Sequence, residues 1–561
     1  MESVAKGAAA YKEPSKRNIG LLGEFIRGAS FKATKINSME EFNTIFGGQS
    51  ASFFGPGVVK SIFLEAGNAP VTLYITRVTG AGSAVATATV NLSDSKTMTV
   101  KAGYHGVDDP GAWANGLKVT LYSFSSKVRG MFTLVVEYNG VVEQYNDDSL
   151  AKIQTAVNQV SKYVTIEFSG EITKLNYSAL TGTITASTSS KEIVGVGTTF
   201  LSETPVGTVL VDADNNVIGT VAAVASDTAL TLQSVAMVAV TGASAKKRDD
   251  AAYVATLAGG VTGDVSESDF YPVYGANPKG LAAFDGVDVQ IIACTEYHSL
   301  TMATALRNYV EEQKNPFGVV NLPLNADEGT AELYANAFQT NEKSFMAGAY
   351  MGWAYIPDDN GNPMLIPAIG PILGAAYIRT PYVQGDYVHI PPAGTDSVFT
   401  NVLDMVPNRL SQATINKLVQ QLTCNVVRYV DGVGFYVGSS RTYSTNPLYH
   451  SIHIRLQTSY YLRALEAKMR YMEQKPNTPE LKREALVDLR TFFKNEYDNG
   501  ALERSVPFET AYQGICDQSN NPPGQDRKLI NITCLWIPTE CTESIVISLE
   551  RNDGILTTME G

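Results

Sequence analysis

Between residues 280 and 356 the chain switches repeatedly between two hydrophobic patterns, and that switching restricts the fold more than any other feature. VDVQIIAC (287–294) is a nearly continuous apolar run, as in a strand buried on both faces. A helical pattern over 299–313 follows, then FGVVNLPL (317–324), a second helical pattern over 327–339, and SFMAGAYMGWAYI (344–356). Strand, helix, strand, helix, strand predicts a parallel sheet with right-handed crossovers. The same grammar stands far upstream. NIGLLGEFIRG (18–28) and VTLYITRV (71–78) read as strands, with two helices between them. In INSMEEFNTIFGG (36–48), Ser38 is placed to cap the first turn and Glu41 to close a capping box. Gly47 and Gly48 then allow a left-handed exit. GPGVVKSIFLEAG (55–67) is the second helix, closed by Gly67.

From 80 to about 265 the texture is strands and turns rich in Thr, Val, Ser and Gly, with a helix expected only over 148–163. Within it, 178–246 alternates short strands with turn clusters such as DADNN (212–216), which predicts a small β-barrel or sandwich inserted in its host. Beyond 405 come a short helix (411–422), a hairpin (426–438) and two long helices. Thr478 caps the second long helix, Pro479 occupies its first position and Gly500 ends it. Leu481, Ala485, Leu489 and Phe492 are its expected apolar stripe. Strands over 529–538 and 544–552 close the chain.

Composition excludes several roles. The net charge is −13, which argues against a general nucleic-acid binder, since phosphate contacts need clustered Lys and Arg. Five cysteines with no CxxC predict buried reduced thiols rather than disulfides or zinc. No apolar leader opens the sequence, and no stretch reaches the roughly 18 apolar residues of a membrane helix.

Catalytic constellations are equally scarce. Neither a G-x-S-x-G elbow nor a P-loop nor a Rossmann fingerprint occurs. His450 and His453 sit three apart without a third ligand nearby in sequence. His105 with Asp108 and Asp109 is a metal loop or, more simply, turn chemistry around Asp-Pro-Gly. Cys294 ends a buried strand with His298 four residues on, a nucleophile pair only if the thiol is not simply packed. No enzyme activity and no cofactor are expected.

The order of the motifs resembles the contractile tail sheath proteins of phages. EEFNTIFGG (40–48), VVKSIFLEAGN (58–68) and VTLYITRV (71–78) are similar to the start of that family's core. VKAGYHGVDDPGAWANGLKVTLYS (100–123) and LAGGVTGD (257–264) resemble its middle β domain. AYMGWAYIPDDNGNPMLIPAIGPILGAAYIRT (349–380), VHIPPAG (388–394) and LVQQLTCNVVRYVDGVGFYVGSSRTYS (418–444) resemble its C-terminal half. The insertion at 178–246 lies outside the resemblance.

The resemblance implies an α/β plus all-β chain. An N-terminal arm (1–18) precedes a parallel α/β core (19–80 and 266–405), subtilisin-like in topology and without a protease site. A β-sandwich (81–265) is inserted in the core and carries the small module. An inner α+β domain (406–543) and a C-terminal strand or arm (544–561) follow. It also implies a structural subunit that polymerises with itself in six-fold rings, in a helical array around a tail tube. Contraction would drive the tube through the host envelope during genome ejection. The sheath of an R-type tailocin or other contractile injection system is the alternative. Implied partners are the tube, baseplate and tail terminator proteins, with no direct nucleic-acid or membrane binding. The expected place is a virion tail assembled in the host cytoplasm.

Arms would add strands to neighbouring sheets, with Ile545, Val546, Ile547 and Leu549 as the intersubunit strand candidates. Residues 450–494 hold nine Lys or Arg against five Asp or Glu. Arg463, Lys468, Arg470, Lys482, Arg483 and Arg490 are therefore the candidates for contact with an acidic tube; the alternative is a solvated helix face.

Overall fold

Eight strands form the central sheet of the computed structural model, which describes residues 13–122, 131–172, 176–249, 252–313, 316–339, 344–522 and 528–542. They are β1 (Ile19–Gly23), β2 (Thr34–Ile36), β3 (Leu73–Arg77), β4 (Ile291–Cys294), β5 (Phe317–Asn321), β6 (Ala347–Met351), β7 (Cys424–Val430) and β8 (Gly434–Val437). Their order is β2-β3-β1-β4-β5-β6-β7-β8. The six inner strands run parallel, and β2 and β8 close the two edges antiparallel. Every residue of β1, β4, β5 and β6 is buried, which is why these segments read as unbroken apolar runs.

Successive side chains of a strand point to opposite faces, and the packing follows that alternation. Ile19 and Leu21 join α1 (Met39–Phe46) and α2 (Gly55–Ala66) in one apolar cluster. Leu22 joins α3 (Leu300–Gln313) and α4 (Glu328–Phe338) in another. The sheet is thus the middle of three layers. The cap of α1 forms as expected, with Ser38 Oγ accepting from the Glu41 N–H at 3.1 Å. The Glu41 carboxylate reaches one residue further back than a reciprocal box requires, to the Asn37 N–H at 2.7 Å. Gly47 and Gly48 take φ of 90° and 77°, the turn that their spacing predicts.

Three segments differ from their sequence reading. Residues 344–356 do not form one strand: Gly352, at φ 132°, ends β6, and Trp353–Pro357 leaves for a separate three-stranded sheet with Pro363–Pro367 and Asp404–Val406. The hairpin at 426–438, expected in the C-terminal domain, is β7–β8 of the central sheet, with Ala349 paired to Cys424. The sheet therefore continues past residue 405. The helix over 411–422 is α-helical at Gln412–Asn416 and then widens into a π-helical turn at Lys417–Gln421.

The outer edge of β8 is not bare. Val437 O accepts from Gly394 N–H, Phe435 O accepts from Phe399 N–H, and the Val437 N–H donates to Ser397 Oγ. Segment 394–399 thus occupies the hydrogen-bonding groups that an added strand would use.

The β-rich insertion has two sheets. One is Val164–Phe168, Thr97–Tyr104 and Thr87–Asn91, and the other is Ala252–Thr256, Lys118–Tyr122, Phe132–Tyr138 and Val141–Asp147. They share one core with the helix Leu150–Val160. Residues 176–249 form a separate eight-stranded sheet with its own core around Phe200, Ile218, Val221 and Leu232. This module enters between Val164–Phe168 and Ala252–Thr256 of its host.

Candidate assembly site

Of the residues singled out for chemistry, Cys294, His298, His453 and Asp109 are locked in packing, while His105 and Asp108 are exposed and His450 is half-buried. Burial pushes the Cys294 thiol up to about 12 and the His298 imidazole down to about 4, so neither is poised to exchange a proton near neutrality. Both line a void of about 10 Å³, too small for a substrate. His453 is buried in the first turn of its helix, with Nε2 3.3 Å from Thr539 O. Asp109 turns inward to two arginines rather than toward His105. Among the described residues no three His, Cys, Asp or Glu side chains gather in a way that would hold a metal ion.

The C-terminal region offers a surface instead. Helix α5 (Ile452–Met469) packs on α6 (Pro479–Asp498) and on a hairpin of β9 (Tyr512–Ile515) and β10 (Thr533–Trp536). Thr478 Oγ1 caps α6 by accepting from the Leu481 N–H at 3.2 Å. Its buried stripe is Leu481, Ala485, Leu489 and Phe493, so the fourth member falls one residue later than expected. A run of four-residue steps keeps a side chain on the helix side that faces the core. Phe492 is half-buried beside it, edge-on to Tyr461 at 5.3 Å. Tyr461 is the hub, also meeting Phe493 at 5.4 Å and Trp536 at 5.2 Å. Its hydroxyl donates to Glu496 Oε2 at 2.8 Å.

Strands β9 and β10 pair only with each other, from Tyr512 opposite Trp536 to Ile515 opposite Thr533. No other strand among the described residues adds to this two-stranded sheet. Leu535 is 52% exposed and Ile537 41%. Between α5 and β10 runs a groove of about 380 Å³, lined by Leu462, Leu465, Met469, Phe493, Ile532 and Trp536 among others. Just past β10, segment 501–503 already bonds Ile537 and Thr539, and the edge left open beside the apolar groove is what an incoming strand needs. The ladder supplies main-chain bonds, and the groove takes alternate side chains.

The basic residues of this region separate into two groups. Arg463 is turned into the protomer, donating to Ser15 O at 2.7 Å and lying 3.8 Å from Asp288. Tyr460, one residue before the buried Tyr461, donates to Glu13. Lys16 and Arg17 both pair with Asp386, and the Asn18 N–H donates to Gln290 Oε1 at 2.7 Å. Residues 13–18 thus form a strap that ties α5 to the central sheet, and Arg463 is part of its buckle. Lys468 and Lys482 are half-buried, and Arg470, Arg483 and Arg490 are exposed. Arg483 pairs with Glu480 at 2.8 Å and Arg490 with Glu509 at 2.9 Å. Ile545, Val546, Ile547 and Leu549 lie outside the described residues, as do residues 1–12.

No protein-family model and no curated protein matches the sequence. Among solved structures, the sheath tail protein Lin1278 of Listeria innocua matches over 94% of this chain and 96% of its own, with a TM-score of 0.52 at 12% identity. The chain has the fold of a sheath tail protein. Another sheath tail protein, DSY3957 of Desulfitobacterium hafniense, covers 90% of this chain and 92% of its own at 12% identity, with a TM-score of 0.49. The contracted sheath of an extracellular contractile injection system, PVC, covers 49% and 75% at 15% identity, with a TM-score of 0.41.

Proposed function

We propose that the chain is the structural subunit of a contractile tail sheath, polymerising with itself around a tail tube and shortening to drive that tube forward. The observation that carries this reading is the open β9–β10 sheet beside an apolar groove, on a chain with the sheath fold. The sheet would take strands from neighbouring subunits, with Ile545, Val546, Ile547 and Leu549 supplying one of them. Main-chain bonds would then hold the array while the domain bodies shift between two packings. Lys468, Arg470, Lys482, Arg483 and Arg490 would face an acidic tube. Baseplate and terminator proteins would cap the ends of the array.

The test is electron microscopy of the full-length chain. Hollow ridged cylinders are expected from the natural sequence, and L465D/M469D, which places two carboxylates in the groove, should leave folded particles no larger than short oligomers. A chain that stays monomeric with tube and baseplate proteins present would overturn the proposal.

A further inference from the structure

A second pocket lies away from the groove, where loop 391–394, strand β7, residues 438–441 and residues 541–542 meet. It encloses about 190 Å³, and its walls include Arg428, Arg441, Gln420, Ser439 and Ser440. Arg441 is 7% exposed and braced from behind, donating to Val419 O at 3.3 Å and to Gln420 Oε1 at 2.9 Å. Arg428 is different. Its Nε is buried and makes no hydrogen bond, and no ion pair holds its guanidinium among the described residues.

Arg428 is nevertheless held in place. Its stem lies flat over Gly438, where a Cβ would come within 2.5 Å of Cγ and 2.7 Å of Nε. Only glycine leaves room for the arginine to lie this way. A positioned guanidinium with no partner among the described residues, beside a second arginine and two serines, is a receptor for an oxyanion, since arginine's planar fork matches a carboxylate's two oxygens.

We propose that this pocket binds a carboxylate, gripped by Arg428. Two sources present that chemistry: a free small carboxylic acid, or an Asp or Glu side chain of a second copy of this chain, which carries 56 such residues against 43 Lys and Arg. The site stands on side-chain geometry alone and does not depend on the sheath proposal.

Malonate is the probe. Calorimetry on the full-length chain at fixed ionic strength should show saturable binding, weakened at least about tenfold in R428Q by loss of the charge-assisted pair. Gly438→Ala keeps the charge and displaces the stem. It should weaken binding several-fold with an unchanged circular dichroism spectrum, and it carries the test if R428Q does not fold. Absence of saturable binding to the natural chain, or equal binding by all three proteins, overturns the proposal. Sedimentation with saturating malonate then separates the sources. Oligomers that shrink identify a carboxylate from a second copy, and unchanged oligomers identify a free acid.

Discussion

Glu24 and Glu296 stand at corresponding positions of adjacent parallel strands, because β1 and β4 pair Leu22 with Cys294. Their environments then diverge. Glu296 accepts from the Phe54 and Gly55 N–H groups at 2.9 and 2.7 Å, at the positive end of α2. Among the described residues the Glu24 carboxyl has no such donors, and burial first, then the charge of Glu296, pushes it up to about 7 from its ordinary 4.5. A carboxyl raised in the folded chain holds its proton more tightly there than when unfolded. Its contribution to stability is complete below pH 4.5 and is lost as the pH climbs through 7. Denaturant unfolding across that window should show a loss on the order of 1 kcal/mol, a figure discounted because the group stays partly solvated. In E24Q the loss should shrink, with a remainder from Glu296, whose carboxyl is also raised by burial. A slope unchanged by the substitution would place the titration elsewhere. Both acids are plain in the sequence, but strand register, which brings them together, is not a local property.

Elements with strong local signals match their reading: the capped helices α1 and α6, the paired strands around them, and the alternation that predicts a parallel sheet. The differences arise where a local pattern has two continuations. The run 344–356 is apolar throughout, and only the positive φ of Gly352 decides that it breaks. The hairpin at 426–438 looks the same whether it stands alone or extends a sheet. Its partner, β6, lies more than seventy residues upstream. The assembly site was legible in part. Its helices and last described strand are readable, but the groove depends on how they pack. The strap of residues 13–18 lies within the N-terminal arm (1–18) that the resemblance implies, and its seat is not readable locally, since apart from the Lys16–Glu13 pair its contacts are to residues far along the chain. Asp386 holds two of its cations, so Asp386→Ala should release it. Hydrogen exchange at residues 15–18 is expected to rise at least about tenfold, with the central sheet unaffected. Unchanged protection would mean that Tyr460 and Arg463 suffice.

At the scale of the molecule, the central sheet and the β-rich insertion are joined by a buried ionic knot. Arg77, fully buried at the end of β3, donates to Phe25 O at 3.0 Å, Gly28 O at 2.9 Å, Pro110 O at 2.7 Å and Asp109 Oδ1 at 3.1 Å. Asp109 also accepts from the Gly28 N–H at 2.8 Å and from Trp113 Nε1 at 3.1 Å, while Arg27 lies over the Trp113 ring. Asp109→Ala would strand Arg77 without its counter-charge, a change that typically costs about 3–5 kcal/mol. Calorimetry is expected to show the insertion and the central sheet melting at separate temperatures in this variant. A single unshifted transition would count against the knot as the joint. DDPG reads as a turn in the sequence, but the turn falls earlier, at His105–Gly106, and Asp108 pairs with Gly103 as strand; the burial of the second aspartate belongs to the fold.

The loop over β8 has a further consequence. A sheet with a bare long edge can recruit any passing strand, and growth from it is ribbon-like and indiscriminate. Here that edge is sealed from within the same chain, and β2 at the opposite edge is only three residues long. The central sheet thereby offers little to strand exchange, and at the C-terminal end that role is left to the small β9–β10 hairpin. Under the proposed function, a lattice built through that hairpin would be addressed rather than merely sticky, because the long edges of the central sheet would not compete for the incoming strand.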